Sequence, residues 1–174
     1  MRIRNDKGFT LIELLIVVAI IGIIAAIAVP GLLRARISGN EASAIGSTRA
    51  IVSAEIDYWG LNKGYAVDLV DLGNTCGTLT VPFISPDLGT LSQPTKSGYI
   101  FELLTPAGAM PGPVDVCGGQ TQNIYYVTAT PETVQSTGNR AFASDVGSAI
   151  WQDITGVPPA MPFTSSATVS PIGK

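Results

Sequence analysis

The stretch FTLIELLIVVAIIGIIAAIAVPGLL, at residues 9–33, decides the architecture of this 174-residue chain. From Leu14 to Leu33 it holds twenty residues without a charge. A helix of that length spans roughly 30 Å, which is the thickness of the hydrocarbon layer of a bilayer. The segment is apolar on every side, so periodicity does not distinguish a buried helix from a membrane helix. Its length favours a membrane helix.

Three other interpretations of this segment remain open. A secretory signal peptide has a shorter apolar core followed by a small-residue cleavage site, a pattern that Ala26 and Ala28 fit loosely. A plain single-span anchor fits the length. A buried core helix is disfavoured because the rest of the chain is too small to surround it. None of the three explains the acidic residue Glu13.

Glu13 needs a partner if it enters a membrane. A carboxylate within a spanning helix costs roughly 2.5–3.5 kcal/mol on insertion scales and is a functional hypothesis by default. The sequence offers a cation only if the chain is cut after Gly8, because Phe9 then carries a free amine four residues before Glu13. That amine and the carboxylate would neutralise one another, within one helix or between neighbouring helices.

The motif KGFTLIE at residues 7–13 follows the short basic leader MRIRNDKG and precedes the long apolar helix with Pro30. This arrangement resembles the N-terminus of type IV prepilins and the related pseudopilins. The resemblance implies that a prepilin peptidase cuts between Gly8 and Phe9 and methylates Phe9, leaving the helix on the mature protein. It also implies a cytoplasmic N-terminus. The charge count does not decide the orientation, because the basic residues on the two sides of the helix nearly balance.

The resemblance further implies partners and a location. The partners are the prepilin peptidase, the inner-membrane assembly platform, membrane lipid before assembly, and other copies of the chain in a helical homopolymer. The precursor would lie in the inner membrane and the mature chain in an extracellular pilus on a bacterial surface. The related alternative is a pseudopilin of a type II secretion system.

After Pro30 and Gly31 a helical pattern resumes. It predicts one helix from Phe9 to about Trp59, with Gly60 as its C-cap. A one-sided apolar stripe predicts packing on a sheet; its members are Leu33, Ile37, Ile45, Val52, Ile56 and Trp59. Pro30 weakens the helix locally, and the resemblance implies that residues 28–32 can melt on entry into a filament.

The remaining residues predict a small β-rich domain. Residues 99–104, 124–130 and 141–144 read as strands, residues 79–84 as at best an edge strand, and residues 149–154 as pairing back across a turn at 145–148. An antiparallel sheet of three or four strands against the helix gives an α+β fold. The predicted divisions are 1–8 (leader), 9–33 (membrane and filament helix), 34–60 (amphipathic helix), 61–155 (β-domain) and 156–174 (irregular tail).

The two cysteines, Cys76 and Cys117, can form only one disulfide. Export to an oxidising compartment favours that bond. The alternative is a pair of buried thiols. Two cysteines without histidine do not make a zinc site, which needs four ligands. No cofactor or metal is predicted, because Asp68, Asp71 and Asn74 lack the order of a calcium loop.

Composition excludes other functions. The chain has no histidine and no nucleophile or phosphate-binding motif, so an enzyme is disfavoured. Without residues 1–8 the chain carries 7 basic and 12 acidic residues, so no specific nucleic-acid binding is predicted. A membrane-anchored domain for DNA or a host ligand would need a basic or aromatic cluster beyond Arg34 and Arg36. The prediction is a structural filament subunit.

Overall fold

A computed structural model describes residues 8–76 and 79–172 of the chain. It forms two compact units, Met1–Arg36 and Ile37–Lys174. Helix α1 (Leu11–Asn62) begins in the first unit and ends in the second. The predicted α+β class is confirmed, since α1 is followed by two short helices and an antiparallel sheet. Of the predicted leader peptide, only Gly8 lies among the described residues.

The end of α1 differs from the prediction by two to three residues. Gly60 is helical rather than a C-cap, and the helix ends at Asn62. Lys63 then takes a positive φ of 59°, and its N–H donates to the carbonyl of Trp59 at 2.8 Å. Gly64 follows because a Cβ there would lie 2.1 Å from Oγ1 of Thr121. The close approach of Thr121 therefore leaves room only for a glycine at this position just after the helix.

The buried face of α1 in the second unit is not the predicted apolar stripe. Ile56 and Trp59 are 51% and 45% exposed, and only Val52 of that stripe is buried. Buried residues instead recur every three or four positions; among them are Glu41, Ala44, Thr48, Ile51, Glu55, Tyr58 and Asn62. Small side chains allow close packing, and the buried carboxylates bind backbone N–H groups, so hydrophobicity alone indicated the wrong face.

The second unit contains a six-stranded antiparallel sheet in the order β1-β2-β5-β6-β7-β8 and a two-stranded ribbon, β3-β4. Two short helices, α2 (Leu69–Gly73) and α3 (Pro86–Gly89), precede them. The strands are β1 (Thr95–Lys96), β2 (Tyr99–Leu104), β3 (Pro111–Val114), β4 (Gln120–Gln122), β5 (Tyr126–Pro131), β6 (Ala141–Asp145), β7 (Trp151–Asp153) and β8 (Val169–Pro171).

Four of the predicted strand positions are confirmed as β2, β5, β6 and β7, and β7 pairs with β6 as expected. The connecting turn is also confirmed, with the N–H of Ser148 donating to the carbonyl of Asp145 at 2.9 Å. The sheet has six strands, where three or four were predicted. Strands β1 and β8 have only two and three residues, too few to show an alternating pattern in the sequence. The edge strand predicted at 79–84 is wrong, since only Leu79 pairs, in a bridge to Cys76.

The tail is better ordered than the sequence predicted. Although no strand forms between residues 154 and 168, Val169–Pro171 pairs with β7 as the edge strand β8. Phe163 stacks on Trp151 with ring centroids 5.5 Å apart, and Tyr126 donates its hydroxyl to the carbonyl of Pro159 at 2.5 Å. Ile172 packs against the core. The prolines prevent regular structure but leave side chains free to pack.

An ion pair joins α1 to the start of β6. Glu41, whose side chain is only 8% exposed, receives N–H groups from Arg140 at 2.9 Å (Nε) and 2.7 Å (Nη2). Its other oxygen accepts the backbone N–H groups of Asn139 and Arg140. Arg140 also donates to Gln152 on β7 at 2.7 Å. One buried carboxylate therefore ties the helix to two strands of the sheet.

Replacing Glu41 by Ala should lower the free energy of unfolding by about 2–3 kcal/mol, because it removes the acceptor of the backbone N–H groups of Asn139 and Arg140 as well as the partner of the Arg140 guanidinium. Denaturant unfolding of the full chain in detergent micelles measures this. The matched control is Asp87→Ala, which breaks the more exposed pair with Lys96 and should cost about 1 kcal/mol or less. Equal losses in the two variants would contradict the proposed importance of the helix-to-sheet pair.

The predicted disulfide is confirmed between Cys76 and Cys117, with Cα atoms 5.6 Å apart. It joins the segment after α2 to the turn of the β3-β4 ribbon. Its two cysteines lie 41 positions apart in the sequence. In the chain-entropy account, a loop of that size stabilises the folded state by about 4 kcal/mol.

Changing both Cys76 and Cys117 to Ser should therefore reduce the free energy of unfolding by about 4 kcal/mol, measured on the full chain in micelles. Wild-type protein treated with a reductant should lose a similar amount. Stability unchanged by reduction would show that the bridge does not constrain the unfolded chain as the loop length predicts.

Candidate functional site

The helix begins with a capping box that the sequence analysis did not identify. Thr10 directly precedes α1, and its hydroxyl oxygen accepts the N–H of Glu13 at 3.3 Å. In return, Oε2 of Glu13 accepts the N–H of Thr10 at 2.9 Å and its hydroxyl at 2.5 Å. This reciprocal pattern satisfies two N–H groups at the helix start. The T-x-x-E spacing at residues 10–13 is its signature and was available in the sequence.

This geometry adds hydrogen-bond partners for Glu13 to the cation that the sequence predicts after cleavage. In the uncut chain the carboxylate already has two donors on Thr10. Both donors are neutral, so the negative charge of Glu13 is not cancelled by them. The capping box holds the carboxylate towards the N-terminal end of the helix, which is also where a free amine on Phe9 would appear.

The two residues of the predicted cleavage site are open to solvent in the structure. Gly8 is exposed and Phe9 is 85% exposed, and neither belongs to α1. Phe9 is joined directly to Thr10, whose N–H reaches Glu13. A new N-terminus at Phe9 would therefore be one residue from the capping hydrogen bonds. The structure leaves the backbone at this position accessible to an enzyme.

The apolar part of α1 in the first unit is exposed along its whole length. Between Phe9 and Leu33, sixteen large hydrophobic side chains are about half exposed or more. Among the described residues, α1 is the one helix long and apolar enough to cross a membrane, and none of its most apolar window, with mean hydropathy 3.1, is buried. Such a continuous apolar surface indicates contact with lipid or with other protein.

Pro30 and Gly31 lie inside α1. Pro30 has no N–H to donate to the carbonyl of Ala26, so one hydrogen bond of the helix is missing there. A Cβ placed on Gly31 would meet nothing within 4 Å. No packing in the described part of the chain therefore accounts for this glycine, and the two residues form the least stabilised turn of the apolar segment.

The acidic side chains that could serve as metal ligands instead make local hydrogen bonds. Asp68 and Asp71 form the capping box of α2, with the Asp68 carboxylate accepting the N–H of Val70. Asp115 accepts the hydroxyl of Tyr58 at 2.5 Å. Within residues 8–76 and 79–172 there is no group of three or more His, Cys, Asp or Glu side chains arranged to hold a metal ion.

Comparison with known proteins gives a consistent picture of the N-terminal region. Residues 3–29 match the family described as "Prokaryotic N-terminal methylation motif". This range contains Gly8, Phe9 and Glu13, the three residues to which the prepilin resemblance assigns roles.

Two curated relatives carry type IV pilin names. The chain is 66% identical over 38 residues to the type IV wide pilus major component PilA4 of Thermus thermophilus, covering 22% of this chain. It is 38% identical over 73 residues to the type IV major pilin protein PilA of Myxococcus xanthus, covering 42%. The matched regions span 29% and 31% of those relatives. No solved structure matches the chain significantly.

The capping box predicts that Thr10→Val destabilises the first turn of α1 by about 1 kcal/mol, because the hydroxyl is lost. Backbone amide exchange at Glu13 should then be roughly fivefold faster in micelles. Thr10→Ser keeps the hydroxyl and should exchange like the wild type. Equal exchange in the Val and Ser variants would show that the box does not hold the helix start.

Proposed function

We propose that the chain is a member of the type IV pilin family, a family of structural subunits, and that it builds a type IV pilus-like extracellular filament. Its precursor lies in the inner membrane and is cut between Gly8 and Phe9 by a prepilin peptidase, which methylates Phe9. The observation that carries this proposal is the exposed apolar helix that starts with the capping box at Thr10 and Glu13.

The exposed helix needs a non-aqueous environment at every stage. Covering one large aliphatic or aromatic side chain stabilises by about 1.5–3 kcal/mol, so the sixteen side chains between Phe9 and Leu33 together represent tens of kcal/mol. Before assembly, membrane lipid covers them. After extraction, the same surfaces are covered by the helices of neighbouring copies, so leaving the bilayer and entering a filament are coupled.

A charge pair gives this packing its register. Cleavage turns the amide nitrogen of Phe9 into a positively charged amine, beside a carboxylate whose donors among the described residues are the neutral N–H and hydroxyl of Thr10. The amine of each newly added copy meets Glu13 of a neighbour. Because one pairing position is allowed along an otherwise featureless apolar surface, the pair sets the axial offset between subunits. A heterologous contact repeated without closure gives a fibre.

Pro30 and Gly31 provide a place where the helix loosens. The missing hydrogen bond at Ala26 and the low helix propensity of glycine lower the cost of unwinding residues 28–32. Unwinding would let the apolar segment adjust to its neighbours during packing. An electron-microscopy map of the filament showing continuous helix through Pro30 would contradict this part of the proposal.

Mass spectrometry of material sheared from intact cells tests processing and export together. The expected species begins with N-methylated Phe9 and lacks two hydrogens because Cys76 and Cys117 are joined. An unprocessed chain, or one cut after the apolar helix, would exclude the filament reading. Processed protein retained in the cell envelope, with none in the sheared fraction, would favour a pseudopilin of a type II secretion system.

Replacing Glu13 by Ala should leave cleavage intact but abolish or disorder filaments. Because Ala also removes the reciprocal half of the capping box, Glu13→Gln separates the two effects. Gln keeps the box geometry while it removes the charge. Filaments counted by electron microscopy should be lost in both variants and normal in Glu132→Ala, an exposed acid of the second unit. Normal filaments from Glu13→Gln would exclude the charge pair.

A further inference from the structure

A second carboxylate of α1, Glu55, is completely buried in the second unit. Its Oε2 accepts the backbone N–H of Ala66 at 3.0 Å, while its Oε1 has no hydrogen-bond partner in the described residues. It is also absent from the ion pairs found there, which join Lys96 to Asp87 and Arg140 to Glu41. Glu55 is thus buried without the compensation that Glu41 receives.

Ala66 is the point where three elements meet. Its N–H binds Glu55 of α1, and its carbonyl accepts Nε2 of Gln122, at the end of β4, at 3.0 Å. The adjacent Tyr65 pairs with Gln122 through two backbone hydrogen bonds of 2.8 and 3.0 Å. The segment 63–67 is therefore held on one side by the Glu55 carboxyl group and on the other by β4.

Other buried polar atoms of the second unit also lack hydrogen-bond partners among the described residues. Oε1 of Gln122 and the hydroxyl of Tyr125 are buried and have no partner in the part of the chain that the structure describes. The unpaired atoms of Glu55 and Gln122 are both acceptors, and an ionised carboxylate adds no donor. A proton on Glu55 supplies one O–H, so the neutral acid is the form that this environment accommodates.

The titratable groups around Glu55 are all acidic. Burial first, and then the negative charge of Asp71 on α2, raise the pKa of Glu55 to about 8, although the N–H of Ala66 acts in the opposite direction. Glu55 in turn raises the pKa of Tyr65 before α2, of Tyr125 before β5 and of Tyr58 on α1 itself, each after the larger effect of burial. Each of these groups disfavours a second negative charge.

We propose that Glu55 is a protonation-dependent latch, which holds segment 63–67 between α1 and β4 while it is neutral and releases that segment when it ionises. Among the described residues, an ionised carboxylate at this position has a single hydrogen bond and no cation, so it is more stable in water than in the core. Moving it into water requires breaking its bond to Ala66. The latch concerns the second unit alone and does not depend on filament assembly.

The sign of the pH dependence follows from the raised pKa. The folded state holds the proton more tightly than the unfolded chain, whose Glu has a pKa near 4.5. The stabilisation is therefore complete below about pH 4.5 and is lost progressively as the pH rises to about 8. Within that window each pH unit increases the opening equilibrium constant about tenfold.

Amide exchange at Ala66 in the full chain, in detergent micelles from pH 5 to pH 8, tests the latch. After correction for the intrinsic exchange rate, the opening constant should rise about tenfold per pH unit in the wild type. It should be flat in Glu55→Gln, whose amide oxygen still accepts the N–H of Ala66. Glu132→Gln, an exposed acid, should behave like the wild type. A wild-type slope retained in Glu55→Gln would overturn the proposal.

A measurement on the wild type alone tests the latch even if a variant fails to fold. The ¹³C shift of the Glu55 carboxyl carbon should titrate with a midpoint near 8. A carboxyl carbon already in its ionised form at pH 6 would overturn the latch, whatever the variants do.

Discussion

Helix α1 must be solvated in two different ways, and the rest of the structure depends on this constraint. From residue 14 to residue 33 it is apolar on every side, so water is a poor solvent for it and only lipid or protein surface covers it well. From residue 41 onward the same helix buries polar and charged side chains at regular intervals. The first part therefore needs lipid or other protein molecules around it, whereas the second part packs against the rest of its own unit.

The buried carboxylates of the second unit show how that domain is organised. Glu41 is fully compensated, with four N–H donors and the charge of Arg140, and it connects α1 to the sheet. Glu55 has one N–H donor and acidic neighbours, and burial raises its pKa to about 8. A helix that packs through hydrogen bonds of this kind has one allowed orientation, because rotating it would leave the carboxylates buried without partners.

Glu13 shows a third way in which a carboxylate of helix α1 is accommodated. It is exposed and its carboxylate caps the helix that it belongs to, so the charge points towards the N-terminal end. Capping and assembly are compatible, since a carboxylate has room for more donors than the two on Thr10. The capping hydrogen bonds of Thr10 thus already hold the Glu13 carboxylate where the proposed charge pair between subunits would need it.

The sequence by itself determined the features that depend on local order: the apolar helix, the N-terminal methylation motif at residues 3–29, strands β2, β5, β6 and β7, the hairpin turn, and the cysteine pair. It also contains the T-x-x-E capping signature of Thr10 and Glu13. Only the tertiary structure decided which face of α1 is buried, because Glu41 and Glu55 count as surface residues until Arg140 and Ala66 are brought to them. Strands β1 and β8 likewise exist through pairing with a neighbour, since two or three residues carry too little pattern to be read alone.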